Sequence, residues 1–154
     1  FKTADLKRNE IQKRLKIITG RIGNIFLQCL AYHMPFRGVG VMGDGFELEP
    51  NNFYGPVLLE AVEQEKSIPS YPRIVLSEEI VSILGKEHDN LFLDEDGIYC
   101  VNPLTDAIKS GMSQRRTTFD KCLSVIQAEQ TTTSLNILSK YTRLKNMFTR
   151  FGIS

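Results

Sequence analysis

The chain opens on a run whose apolar positions step by four and three. Ile11, Leu15, Ile18, Ile22, Ile25 and Cys29 fall on one stripe of a helix, and the spacing predicts a single helix from Ala4 to His33. Gly20 and Gly23 interrupt it. Each costs about 1 kcal/mol of helix propensity against alanine, which points to close packing on a neighbouring helix or strand. Met34-Pro35 closes the helix, because a residue before proline is pushed out of the helical region.

The pattern then changes period. An apolar strand carries Arg37 near its start, and a glycine-rich turn, Gly43-Asp44-Gly45, follows. A second strand alternates Phe46 and Leu48 with Glu47 and Glu49. Asn51 and Asn52 lead through Phe53-Tyr54-Gly55 to Pro56, which suits the first position of a helix because its missing N–H has no partner there. That helix carries Val57, Leu58, Ala61 and Val62, with Leu59 on its flank. Pro69 and Pro72 bracket a turn before the buried strand Ile74-Val75-Leu76. The unit reads as strand, hairpin, strand, helix, strand.

Ser77-Glu78-Glu79 is a capped helix start, with Ile80, Val81 and Leu84 as its apolar face and Gly85 as its stop. Leu91 to Val101 reads as a hairpin turning at Asp94-Glu95-Asp96-Gly97. That acidic turn lacks the twelve-residue ligand spacing of a calcium loop. Pro103 opens a more polar region, and residues 111–118 form a loop exposing Arg115 and Arg116. Two helices close the chain. The first shows Phe119, Cys122, Leu123 and Ile126 on one face. The second starts at Thr133 or Ser134, buries Leu135, Leu138, Tyr141, Leu144 and Phe148, and carries Lys140, Arg143, Lys145 and Arg150 outside. The expected class is α+β, a mixed and mostly antiparallel sheet with packed helices.

Composition narrows the function classes. The 154 residues suit one domain, and 42% hydrophobic with 24% charged is ordinary for a globular chain. A net charge of +1 gives no global case for nucleic acid or membrane as partner. No apolar window reaches membrane-helix length and no signal peptide is visible, so the expected location is cytoplasmic. The three cysteines, Cys29, Cys100 and Cys122, have neither disulfide-framework nor zinc spacing, and Cys29 and Cys122 read as core. His33 and His88 stand in no nucleophile framework; His33 ends the first helix and His88 sits in a polar loop.

The segment RGVGVMGDGFE followed by NNFYGPVLLEAVEQE and YPRIVLS resembles the C-terminal half of a class III nucleotidyl cyclase domain. LFLDEDGIYCVNPL and KYTRLKNMF fit the same look, which is nearest to the bacterial pyrimidine cyclases of anti-phage signalling. The resemblance covers most of the chain. It implies a ferredoxin-like, cyclase-type sheet, with residues 1–154 as one domain and 104–154 as its helical C-terminal extension. It also implies a homodimer with the site built across two chains. The substrate would be a nucleoside triphosphate, UTP or CTP within that subfamily, with Mg2+ or Mn2+ as cofactor. The metal-binding aspartates of such domains precede the region matched here, so they are expected in roughly sixty to a hundred residues ahead of Phe1.

By the same resemblance Arg37 falls on a triphosphate-contacting arginine, whose guanidinium fits phosphate oxygens as a fork; its plain alternative is a surface ion pair on an edge strand. Asn52 falls where the family reads the base, with ordinary turn chemistry as its alternative. Arg73 is a candidate nucleotide contact or a structural residue at a strand start. The family helix reads Gly-x-x-x-Asn-x-x-x-Arg; counted from Gly55 those positions hold Leu59 and Glu63, which can neither bond a ribose nor neutralise a phosphate. Asp44 reads as turn chemistry rather than as a metal ligand. Two functions therefore stand: a cyclase forming a 3′,5′-cyclic nucleotide and pyrophosphate in bacterial second-messenger or anti-phage signalling, or an inactive nucleotide-sensing or dimerisation module. A phosphate-backbone binder using Arg115, Arg116, Lys140, Arg143 and Lys145 is a third, which the balanced charge opposes.

Overall fold

The computed structural model describes residues 7–50, 52–68, 71–105, 109, 116–131, 133–151 and 153. The first helix, α1, spans Arg8–Ala31. Its expected start at Ala4, the Asn51 turn, Pro69 and the loop up to Arg115 lie outside the described residues. The strands are β1 (Gly38–Gly40), β2 (Phe46–Glu49), β3 (Asn52–Tyr54), β4 (Ile74–Leu76), β5 (Leu91–Leu93) and β6 (Tyr99–Val101). The other helices are α2 (Pro56–Ser67), α3 (Glu78–Leu84), α4 (Arg116–Glu129) and α5 (Leu135–Arg150).

The protein is α+β. Its main sheet runs in the order β1-β4-β6-β5: β1 lies parallel to β4, and β6 pairs antiparallel with both β4 and β5. Val75 at the centre of β4 is opposite Val39 on one side and Cys100 on the other. The hairpin expected between the Arg37 strand and Phe46–Glu49 does not form. Residues 41–45 run without regular structure, β1 pairs with β4 across the α2 crossover, and β2 pairs instead with β3. Gly55 fixes that arrangement. Its φ is +140°, and a Cβ there would stand 2.7 Å from the Asp44 carbonyl oxygen.

The buried face of α1 follows the expected stripe only in part: Leu15 is buried and Ile11 and Ile22 pack against the core. Leu15, Thr19, Gly20, Gly23, Phe26, Leu27 and Leu30 are buried, whereas Ile25 is 54% exposed and Cys29 only half-buried. The face turns toward the positions that let neighbours come close. A Cβ on Gly23 would stand 3.0 Å from Pro103 Cα and 3.1 Å from the Asn102 carbonyl oxygen, so glycine is what seats α1 against the end of β6. The stretch from Pro103 to Thr105, expected to open a polar region, is for the same reason buried. Helix α1 packs on α3, α4 and β6, and α5 packs on α4. Phe119, Cys122, Ile126, Leu144 and Phe148 of the last two helices join one apolar cluster with Leu27, Leu30, Leu76 and Val101. Leu135, expected inside, is 81% exposed at the first position of α5.

Candidate functional site

The β2–β3 hairpin and α2 form the part of the protein that the sequence singled out. Strand β2 alternates apolar and acidic residues, yet neither of its faces is buried. Phe46 stacks on Tyr54 across the hairpin with ring centroids 6.2 Å apart. The register slips at Leu48, which is left as the extra residue between the Glu47–Phe53 and Glu49–Asn52 pairs. Helix α2 buries none of its residues, although it starts at Pro56 as expected. Val57 and Ala61 turn toward the chain, while Leu58, Leu59 and Val62 face out, Leu59 at 70% exposure. Hairpin and helix together present seven large apolar side chains to solvent.

Arg37 precedes β1, and its Nη2 lies 2.5 Å from Glu65 Oε1 on α2. Both side chains are more than a third exposed, so the pair is worth ~0.5 kcal/mol and exchanges readily. Asn52 is a strand residue rather than a turn residue, and its Nδ2 donates to Glu49 Oε2 at 3.0 Å. These two candidates are therefore each held by a carboxylate, Arg37 by one on α2 and Asn52 by one on β2.

Arg73 is elsewhere and is 5% exposed. Its guanidinium donates to Asp96 Oδ1 at 2.9 Å and Oδ2 at 2.6 Å, and it also bonds Asp94. Arg143 of α5 approaches both carboxylates, 3.4 Å from Asp94 Oδ2 and 3.5 Å from Asp96 Oδ2, and lies over the Tyr71 ring at 4.0 Å. Burial disfavours the Arg73 charge, but the hydrogen bonds to Asp96 and Asp94 outweigh it and hold the guanidinium more firmly protonated than a free arginine. The bond from Arg73 holds the Asp96 carboxyl below its usual range. Arg73 Nε is buried without a hydrogen-bond partner among the described residues. This arrangement ties β4, the acidic turn and α5 together and leaves the Arg73 charge no open face. The sequence read Asp94 and Asp96 only as turn residues and Arg143 as an outer residue. The missed signal was a helix face of Arg143, Asn146 and Arg150 at steps of three and four, which meets Asp94, Glu95 and the Leu93 carbonyl on the hairpin.

Among the described residues no group of three or more His, Cys, Asp or Glu is arranged to hold a metal ion. Asp94 and Asp96, two carboxylates of the acidic turn, are engaged by two arginines. The described side chains therefore do not fit a divalent-metal centre. Cys100 and Cys122 are buried, and burial pushes both thiols up to about 12, so neither is a nucleophile near neutral pH. No helix among the described residues is long and apolar enough to cross a membrane. Comparison of the chain with protein-family models, curated proteins and solved structures finds no match to any of them.

Proposed function

We propose that this chain is a dimerising, nucleotide-binding domain of the class III cyclase type, which holds a triphosphate without turning it over by its own residues. The observation that carries the reading is the exposed apolar face of β2–β3 and α2. Seven large apolar side chains near half exposure amount to an apolar area on the order of 600 Å², at the upper end of what a monomer usually leaves open. A standard interface takes about 800 Å² from each partner, and a second copy brings the same face to the contact. Turnover needs a group on the ribose and a cation at the transition state, and the corresponding positions are Leu59 and Glu63. In this reading Arg37 meets the phosphates, exchanging Glu65 for them, and Asn52 meets the base.

A second reading is the active cyclase itself, forming a cyclic nucleotide from UTP or CTP in anti-phage signalling, with Mg2+ or Mn2+ held by acids outside the described residues. The exchangeable Arg37–Glu65 pair favours it, because that pair keeps a guanidinium available at the surface.

The test combines two measurements on the longest natural chain that contains this segment. Sedimentation should give a dimer that Leu59→Asp and Phe53→Ser convert to a folded monomer. A monomer of the parent chain at about 100 μM overturns the dimer reading. Incubation with Mn2+ and each of ATP, GTP, CTP and UTP should leave the nucleotides intact while one of them binds, with binding lost in Arg37→Ala. A cyclic monophosphate in the product mass spectrum would instead establish the enzyme.

A further inference from the structure

A cleft of about 730 Å³ lies between α1 and the loop that joins α3 to β5, within the size range of small-molecule sites. It draws on none of Arg37, Asn52 or Arg73. Lys16 and Arg21 line it from α1 and make no ion pair among the described residues. Gly20, one turn from Lys16, leaves the floor between them without a side chain. Lys109 also lines it and pairs with Asp89 at 2.8 Å, both more than half exposed, so that pair opens at little cost. Three cations thus face the cleft against the two carboxylates Glu87 and Asp89.

The wall is rigid where it matters. Asn90 is 5% exposed, and its Nδ2 donates to the Lys16 carbonyl and to Thr19 Oγ1, both at 2.8 Å. Its backbone N–H donates to His88 Nδ1 at 3.1 Å, which leaves the imidazole proton on Nε2 as a donor. Burial, with the Lys16 charge nearby, pushes the His88 imidazole down, so the ring is neutral at pH 7. On the α1 side Ile17 is 55% exposed and gives the cleft an apolar shelf.

We propose that this cleft binds a phosphorylated small molecule, its phosphate held by Lys16, Arg21 and Lys109 and its apolar part laid on Ile17. Flexible ammonium groups and a guanidinium fork suit a phosphate, and the neutral His88 adds a directed N–H. The shelf favours a phosphate ester carrying a ring over the bare ion.

The experiment titrates the full chain with pyrophosphate and, separately, with UMP, by calorimetry and by the His88 ring resonances. Saturable binding that shifts His88 is expected, with at least tenfold weaker affinity, read from the His88 shift, in Lys16→Ala/Arg21→Ala. Both altered side chains are exposed on α1, and an unchanged thermal melt verifies the fold. Absence of heat and of any His88 shift at about 10 mM of either probe would overturn the proposal. So would affinity unchanged in the double variant, or affinity lost only in Arg37→Ala, which would place the anion at the Arg37 surface instead.

Discussion

Arg73 and Asp96 meet as a two-pronged pair, Nη1 to Oδ1 at 2.9 Å and Nη2 to Oδ2 at 2.6 Å, with the arginine almost wholly buried. A buried pair of this kind adds modest net stability when intact, because the desolvation of both charges offsets the attraction. Broken, it is costly. Arg73→Ala leaves Asp94 and Asp96 facing each other with Arg143, 3.4 and 3.5 Å away, as the cation that remains beside them. The expected loss is about 3–5 kcal/mol, read from the urea midpoint. An Arg73→Ala/Asp96→Asn double variant should recover part of that loss. Losses that simply add across the two sites would show that the pair is not coupled.

The same pair sets an acid limit. Asp96 titrates below its usual value when folded, because the Arg73 hydrogen bond favours the carboxylate. A depressed folded pKa contributes stability that is present above the unfolded value, near 3.8, and is lost as pH falls through the folded value. Stability should therefore drop below about pH 4, and the drop should be shallower in Asp96→Asn. Urea midpoints measured from pH 5 to pH 2 decide this, and equal slopes in parent and variant would remove Asp96 as the cause.

Gly23 gives a prediction whose sign is informative. On an open helix face, alanine in its place would stabilise by about 1 kcal/mol. Here the new methyl would press on Pro103 and the Asn102 carbonyl, whose side chain is itself anchored to the Asp89 carbonyl at 3.0 Å. Gly23→Ala should destabilise by roughly 1–3 kcal/mol. A rise in the melting temperature would mean that α1 does not sit this close to the end of β6.

His33 stands where glycine is usual. The chain leaves α1 with His33 N–H bonded to the Leu30 carbonyl and Met34 N–H bonded to the Cys29 carbonyl, and His33 takes a φ of +59°. An L-residue with a β-carbon pays for that conformation, so His33→Gly should stabilise by about 1 kcal/mol. The melting temperature should rise by roughly 3 °C. His33→Ala retains the β-carbon and serves as the control, expected to show no such gain.

Local chemistry in the sequence determined a good part of this protein. Ser77 caps α3 with its hydroxyl on the Ile80 N–H, Gly85 ends that helix at a φ of +90°, and Asp94 to Gly97 turns the β5–β6 hairpin. Pro56 starts α2, and the α+β class followed from the alternation of periods. Each of these depends on a few adjacent residues, so a linear reading finds them. What only the tertiary structure decided depends on residues far apart. Strand β1 chose β4, some 36 positions later, over the adjacent β2. The buried face of α1 follows Thr19 and Gly23 because the β6 end and Asn90 approach there, and no count of apolar residues weighs a glycine as core. Asp94, Asp96 and Arg73 read singly as a turn and a strand start; only the sheet places them in one cluster, and only α5 adds Arg143. The exposed face of α2 likewise follows from packing, because Leu58, Leu59 and Val62 are as apolar as any core residue and differ only in what lies next to them.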